Sequence, residues 1–127
     1  MSFQKNTTIL AGNLGAHPVL RTTAAGTNVA NFRVATNEYM GRDANGASKF
    51  HTEWHSVVAW GPLADAVMRR LEKGSNVYVE GALRTRAFTD KSGDLRRVTE
   101  IKATQIQFLD AVNGDHIAVN SNDDPDI

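Results

Sequence analysis

Residues 61–88 read GPLADAVMRRLEKGSNVYVEGALRTRAF, and this stretch decides the fold because a helix pattern runs directly into a strand pattern. Proline at position 62 suits the first turn of a helix, and apolar residues then recur at helical spacing. The apolar stripe consists of Leu63, Ala64, Val67, Met68 and Leu71. Lys73 and Gly74 predict the end of the helix, as a basic last turn and a C-cap. Residues 75–88 alternate with period two, which predicts a strand with Val77, Val79 and Leu83 on one face.

The chain on either side of this stretch is rich in strand patterns. Residues 50–60 precede the helix, residues 96–109 follow a turn at 90–94, and two further strands are predicted at 7–12 and 28–40. Residues 15–26 and 41–49 are rich in turn residues and predict loops. The order β-β-β-α-β-β predicts an all-β protein, a five-stranded OB-fold barrel with one helix between strands 3 and 4. Such barrels bind oligonucleotides on strands 2–3 and the flanking loops.

The formal charge of the 127 residues is zero, from 14 basic and 14 acidic side chains, but the charges are unevenly distributed. Residues 1–109 hold all 14 basic and nine acidic residues, a charge of +5, and residues 110–127 hold five acidic residues, a charge of −5. We therefore predict a domain over residues 1–111 that meets an anion, and a short acidic tail over residues 112–127.

The sequence contains no pattern typical of a membrane protein, a secreted protein or an enzyme. The first residues form no apolar signal region, and no apolar run has the length of a membrane span, so we expect a cytoplasmic protein. Phosphate-loop, dinucleotide and Gly-x-Ser-x-Gly motifs are missing, and cysteine is absent. His51, Glu53 and His55 alternate on one strand, but a fourth ligand is not in view, so we expect no metal and no cofactor.

Aromatic and basic side chains share strand faces. Alternation places Trp54 and Trp60 on one face of the third strand, and it places Arg84, Arg86 and Phe88 on one face of the fourth. Sequence-neutral binding of a nucleic acid single strand needs flat rings for the bases and cations for the phosphates. Two alternatives stay open, namely tryptophans packed in the core and arginines in surface ion pairs. A face with two arginines is costly to bury, which favours binding.

Several segments resemble the bacterial single-stranded DNA-binding protein family. They are residues 10–15 (LAGNLG), 29–32 (VANF), 52–55 (TEWH), 57–61 (VVAWG), 73–81 (KGSNVYVEG) and 83–86 (LRTR). The resemblance covers nearly the whole predicted domain, with the motifs in family order. It implies an OB-fold that assembles into a homotetramer. It also implies non-enzymatic binding of single-stranded DNA in replication, recombination and repair, in the bacterial cytoplasm on the nucleoid.

The resemblance also implies roles for individual residues. The candidate base-stacking residues are Trp54, Trp60, Phe88, Tyr39 and Met40. At position 40 the family often has a tryptophan, so either Met40 packs on a base or Tyr39 supplies the ring. His55 matches a residue near the family's subunit interface, and Asn76 is assigned to that interface too. The candidate phosphate-binding residues are Arg21, Arg33, Lys49, Lys73, Arg84, Arg86 and Arg96.

The tip of the tail, residues 123–127 (DDPDI), resembles the acidic tip on which replication and repair proteins dock in the family, but it lacks the family's terminal phenylalanine. Asp123, Asp124, Asp126 and Ile127 are therefore candidates for partner binding, and a solubilising end is the alternative. Two other functions stay open, a primosomal replication-restart adaptor with an OB-fold and an OB-fold protein-interaction module without a DNA role. The two tryptophans argue against the first, and the arginines beside aromatic residues argue against the second.

Overall fold

The computed structural model describes residues 2–110 and the backbone of residues 117–120. In these ranges the chain forms seven strands and one helix. The strands are β1 (Thr8–Leu14), β2 (Val19–Thr22), β3 (Asn28–Arg42), β4 (Ser48–Trp60), β5 (Asn76–Thr89), β6 (Leu95–Phe108) and β7 (Ile117–Asn120). The helix, α1 (Pro62–Arg70), lies between β4 and β5 and begins with the predicted proline.

The prediction of a mostly-β protein with one helix is confirmed, and all five predicted strands are present. The structure adds two short strands, so the helix lies between the fourth and fifth strands instead of the third and fourth. β2 lies in the stretch 15–26 that the sequence predicts as a loop, and β7 lies in the predicted tail. Each pairs along the edge of a longer strand. Each is only four residues long, and four residues are too few for an alternating pattern to be recognised.

The strands close into a ring. Their order is β1-β5-β6-β4-β3, and β1 also pairs with β3. The long antiparallel pairings of β3 with β4 and of β5 with β6 form two hairpins, whereas two other contacts are short seams. The paired residues are Asn13 with Ala35 and Leu14 with Val34 in the β1–β3 seam, and Val57 with Ile101 and Val58 with Lys102 in the parallel β4–β6 seam.

The core fills this ring and continues under the helix. Val77 and Val79 of β5 are fully buried, as the alternation predicts. The helix contributes Leu63, Ala64, Ala66 and Val67 to the same core. Gly12 lies where β1 approaches β3, and a Cβ at this position would collide with the backbone carbonyl oxygen of Ala35. The close approach that closes the ring therefore requires glycine.

Two details of the predicted pattern are wrong. The helix ends at Arg70, and its C-cap is Leu71 in an extended conformation, whereas Gly74 lies in the following turn with a φ of 91°. Leu83 is half exposed and does not face the core. β5 loses its neighbour β1 beyond Gly81, so this part of the strand extends past the core with only β6 beside it.

Candidate nucleic-acid interface

One outer surface of the sheet brings the predicted tryptophans and arginines together. Trp54 and Trp60 alternate on one face of β4, and they are 46% and 38% exposed, so their alternative placement in the core is wrong. Arg86 lines a cavity together with Trp54, and Arg84 lines a second cavity together with Trp60. We call this surface, which continues to Phe88 on β5, the aromatic face.

Each of the three exposed rings on the aromatic face lies against a cation. The pairs are Arg33 with Trp54 (5.1 Å from the guanidinium carbon to the ring centre), Lys102 with Trp60 (5.5 Å from Nζ) and Arg86 with Phe88 (5.4 Å from the guanidinium carbon). These separations are in the range of cation–π interactions, which contribute about 0.5–1 kcal/mol each at exposed sites. Aromatic rings and cations therefore stand side by side on this surface.

A cavity of about 500 Å³, which we call the Trp54 cavity, lies beside the first of these rings. Buried Phe32 and Val57 form part of its apolar lining, and Arg33 and Arg86 bring positive charge to it. Apolar walls with a few polar groups are typical of sites that hold a small ligand. The arrangement suits a nucleobase beside Trp54, with the adjoining phosphates near the two guanidinium groups.

A second cavity of about 390 Å³, the Trp60 cavity, lies beside the other tryptophan. Arg84 and Lys102 line it together with Trp60, and no acidic residue does. Small side chains such as Ala82 and Thr104 complete the lining and leave the ring accessible. This cavity therefore combines one aromatic ring with two positive charges.

The β5–β6 hairpin extends the aromatic face, because its register places Phe88 opposite Arg96. Two predicted phosphate-binding residues form ion pairs here. Arg86 Nε donates to Oε1 of Glu100 at 2.9 Å, and Arg96 Nε donates to Oδ2 of Asp90 at 2.8 Å. The hydrogen bond from Arg96, aided by backbone amides of the turn, holds the pKa of Asp90 below its ordinary value. The alternative of a surface ion pair, raised for Arg84 and Arg86, therefore applies to Arg86. Arg96, for which it was not raised, is paired in the same way.

The β3–β4 hairpin carries the other predicted stacking residues on a separate arm. The rings of Tyr39 and Phe50 pack edge to face, with centroids 5.7 Å apart at an interplanar angle of 68°. Met40 is exposed where the register shifts between Tyr39 and Arg42, and Lys49 is exposed on β4. None of these residues lines the Trp54 or Trp60 cavity. Phe50 is an exposed ring that the sequence analysis did not single out.

Two predicted phosphate-binding residues also lie away from both cavities. Arg21 is exposed on β2, opposite Val29 of β3, and Lys73 is exposed in the turn that follows α1. The predicted cations that the structure places at the aromatic face are Arg33, Arg84, Arg86 and Arg96. Those that it places elsewhere on the surface are Arg21, Lys49 and Lys73.

The predicted interface residues make contacts within the chain. His55 points to the opposite face of β4 from the tryptophans, is half-buried, and its Nε2 lies 2.8 Å from Oγ1 of Thr36. The side-chain amide of Asn76 donates to the carbonyl oxygen of Gly12 at 3.0 Å, which ties β5 to β1. The assignment of both residues to a subunit interface stays a prediction.

Two of the three alternating residues His51, Glu53 and His55 form an ion pair on β4. His51 Nε2 lies 2.9 Å from Oε2 of Glu53. The hydrogen bond with His51 and the charge of its ring lower the pKa of Glu53. Within residues 2–110, no three His, Cys, Asp or Glu side chains come together in a way that could hold a metal ion.

Two further predictions concern the C-terminal tail and the absence of a membrane span. Asp123, Asp124, Asp126 and Ile127, the candidate partner-binding residues, lie outside the described residues, and the boundary at residue 111 stays a prediction. In the described part of the chain, the helix has nine residues and is too short to cross a membrane.

Three residues at the aromatic face were not predicted. Lys102 and Glu100 alternate with Arg96 along β6, so the period-two pattern of the last predicted strand contained the signal for both. Gly15 lies at the end of β1, where a Cβ would come within 2.5 Å of Cζ3 of Trp54. Nothing in the local sequence indicates this contact, since the two residues are far apart along the chain.

Comparisons with known proteins agree with this geometry. Residues 5–109 match the model of the Single-strand binding protein family. The chain is 47% identical over 107 residues to "Single-stranded DNA-binding protein 1" of Chlorobaculum tepidum, a match that covers 84% of this chain and 65% of that protein. It is 47% identical over 100 residues to the protein of the same name from Xylella fastidiosa, with 79% and 74% covered. The chain thus spans slightly less than two thirds of the Chlorobaculum relative.

Proposed function

Because the chain belongs to the Single-strand binding protein family, we propose that it binds single-stranded DNA without enzymatic activity and largely independently of sequence. The ring of strands with one helix matches the OB-fold architecture that the sequence predicts. The observation that carries the proposal is the aromatic face, where three exposed rings each lie against a cation. The protein would coat and protect single strands during replication, recombination and repair, in the bacterial cytoplasm on the nucleoid.

Stacking supplies the sequence-independent part of the binding. Every base has a π face, and stacking on an aromatic side chain contributes about 1–3 kcal/mol per base. The cation that lies on each ring contributes about 0.5–1 kcal/mol. A base that takes the place of such a cation on Trp54, Trp60 or Phe88 therefore gains at least as much as is lost, and the released cation can approach a phosphate.

The phosphates bind to the cations of the same surface. Arg33, Arg84 and Lys102 lie at the two cavities, and the lining of the Trp60 cavity contains no acidic side chain among the described residues. Each neutralised phosphate of a single strand contributes about −0.7 to the slope of log affinity against log salt. Lys102→Gln is expected to reduce that slope by about 0.7, which titrations at several salt concentrations measure.

Tryptophan fluorescence tests the proposed function directly, because both tryptophans lie on the aromatic face. Saturating oligo-dT at low salt is expected to quench the emission strongly. Single-tryptophan variants, Trp54→Phe and Trp60→Phe, show how much each ring contributes. Unchanged emission with saturating oligo-dT would contradict the proposal and would favour the alternative function, a protein-interaction module without a DNA role. A replication-restart adaptor is not favoured, because two exposed tryptophans beside cations suit direct DNA binding.

We also propose that the protein assembles as a homotetramer. The support is the resemblance of its sequence to the family, together with apolar side chains such as Ile9 and Leu83 that one copy leaves exposed. Light scattering at micromolar concentration measures the mass in solution. A mass of one chain, 13.8 kDa, at all concentrations would contradict this assembly.

The acidic tail has two proposed roles, in docking replication and repair proteins and in competing with DNA. Residues 110–127 carry a charge of −5 beside a body of +5, so the tail and DNA attract the same cations. Replacing Asp123, Asp124 and Asp126 by Asn, which keeps β7, is therefore expected to tighten DNA binding at low salt, and the difference should shrink as salt screens the attraction. Equal affinities of the original chain and this variant at low salt would exclude the competition.

A further inference from the structure

We infer that Glu100 is a specificity-determining residue, which accepts a hydrogen bond from the exocyclic amine of a DNA base in the Trp54 cavity. Cytosine, adenine and guanine carry such an amine, and thymine does not. The inference rests on the proposed binding of single-stranded DNA and adds a local preference to it. The carboxylate of Glu100 lies on a surface that otherwise attracts anions.

Glu100 is the one acidic residue in the lining of either cavity on the described surface. Its side chain keeps only 10% of its surface exposed, although it borders a site for a polyanion. Burying a carboxylate is costly unless it is paired and hydrogen-bonded, and the ion pair with Arg86 meets part of this requirement. A negative charge at this depth weakens the attraction for phosphate, so a general phosphate site would be better without it.

One oxygen of this carboxylate remains available. Oε1 accepts the hydrogen bond from Arg86 Nε, and the structure shows no protein partner for Oε2 among the described residues. The described part of the chain also has no fully buried side-chain oxygen that lacks a partner. Glu100 lines the Trp54 cavity and keeps part of its side-chain surface exposed, so its carboxylate can accept a hydrogen bond from a molecule there.

The neighbours of Glu100 select a base over a phosphate as the occupant of this part of the cavity. Phe32, Val57 and Trp54 provide apolar and aromatic surface, which suits a planar base. An ionised carboxylate only accepts hydrogen bonds, and it pairs with the amine of a base, as glutamate does with N4 of cytosine. Where cytosine has its N4 amine, thymine has the O4 carbonyl oxygen, which a carboxylate repels. The one donor on this edge of thymine, N3–H, lies between two carbonyl oxygens.

Two oligonucleotides that differ at this edge test the inference. Oligomers of 5-methyldeoxycytidine and of thymidine, equal in length, both carry the C5 methyl group, but the first has an amine at C4 where the second has a carbonyl oxygen. Their dissociation constants are measured by tryptophan quenching for the wild type, Glu100→Gln and Glu72→Gln. Glu72 is exposed in the turn after α1 and lines neither cavity, so its replacement removes the same charge without touching the site.

Glu100→Gln is expected to lower the affinity for the 5-methylcytosine oligomer relative to the thymine oligomer by at least about fivefold, and Glu72→Gln should leave that ratio unchanged. An equal effect of the two variants on the ratio overturns the inference. Thermal unfolding checks that each variant folds, and Glu100→Asp, which keeps the charge but withdraws it by one methylene, gives a second variant with the same expected loss of preference. If neither oligomer quenches the wild type, the proposed function itself fails.

Discussion

Removing the Trp54 ring tests whether bases and cations exchange on the aromatic face. Stacking of one base contributes about 1–3 kcal/mol, while Arg33, 5.1 Å from the ring centre, contributes about 0.5–1 kcal/mol that is lost when a base takes its place. Trp54→Ala is therefore expected to weaken DNA binding by the difference, up to about 2.5 kcal/mol, which is a factor of up to about 70.

A double-mutant cycle with Arg33→Gln separates exchange from simple addition. Without Arg33 the ring is uncovered in the unbound protein, so Trp54→Ala then costs the whole stacking contribution. That cost exceeds the cost in the wild-type background by about 0.5–1 kcal/mol, a factor of about 2 to 5. The anisotropy of a labelled oligo-dT measures all four affinities at one fixed salt concentration, because phosphate contacts make affinity depend on salt.

The sign of the coupling decides between the possible arrangements. Equal costs of Trp54→Ala in the two backgrounds would refute the exchange. A smaller cost without Arg33 would mean that guanidinium and base hold the ring from two sides at once, which also contradicts it. Arg21→Gln is the matched control, since it removes an exposed cation that lines neither cavity. It should leave the cost of Trp54→Ala unchanged.

Three further predictions concern glycine and acid positions. Gly15→Ala places a Cβ 2.5 Å from the Trp54 ring, so we expect the ring to turn aside, DNA binding to weaken several-fold and Tm to change little; unaltered affinity in the anisotropy assay would contradict this. Gly12→Ala places a Cβ against the backbone carbonyl of Ala35, which cannot move aside, and we expect the free energy of unfolding in urea to fall by about 1–3 kcal/mol or more. The pKa of Asp90 is lowered in the folded protein, so its carboxylate stabilises the fold at pH values above the unfolded-state pKa. This stabilisation is lost as the pH falls through the lowered pKa. An NMR titration that gives Asp90 an ordinary pKa would contradict this prediction.

The composition of each strand face could be predicted from sequence because it depends on local geometry. Alternation along a strand is enough to place Trp54 with Trp60 and Arg84 with Arg86, and the structure has both pairs on the aromatic face. The same rule failed for Leu83, because burial also requires a neighbouring strand. Alternation along a strand shows which residues share a face of that strand, but it does not show whether another element covers that face.

Contacts between strands were beyond the sequence pattern. The register of β5 against β6 determines that Arg86 reaches Glu100, and it therefore turns one predicted phosphate ligand into half of an ion pair. Ring closure brings Lys102 beside Trp60 and Gly15 beside Trp54, and no local signal marks either pairing. Tyr39 and Met40, named from a family position, lie on a hairpin arm away from both cavities.

The β4–β6 seam lies beside the part of β4 that separates the two tryptophans. Trp54 and Trp60 flank Val57 and Val58 along β4, and Lys102, which lies against Trp60, is itself a seam residue. Short pairings of this kind open more readily than long hairpins, and amide hydrogen exchange detects such opening. A DNA strand that stacks on Trp60 of β4 and places a phosphate at Lys102 of β6 bridges the seam. Binding is therefore expected to slow amide exchange at Val58 and Lys102 and to reduce opening of the closed sheet.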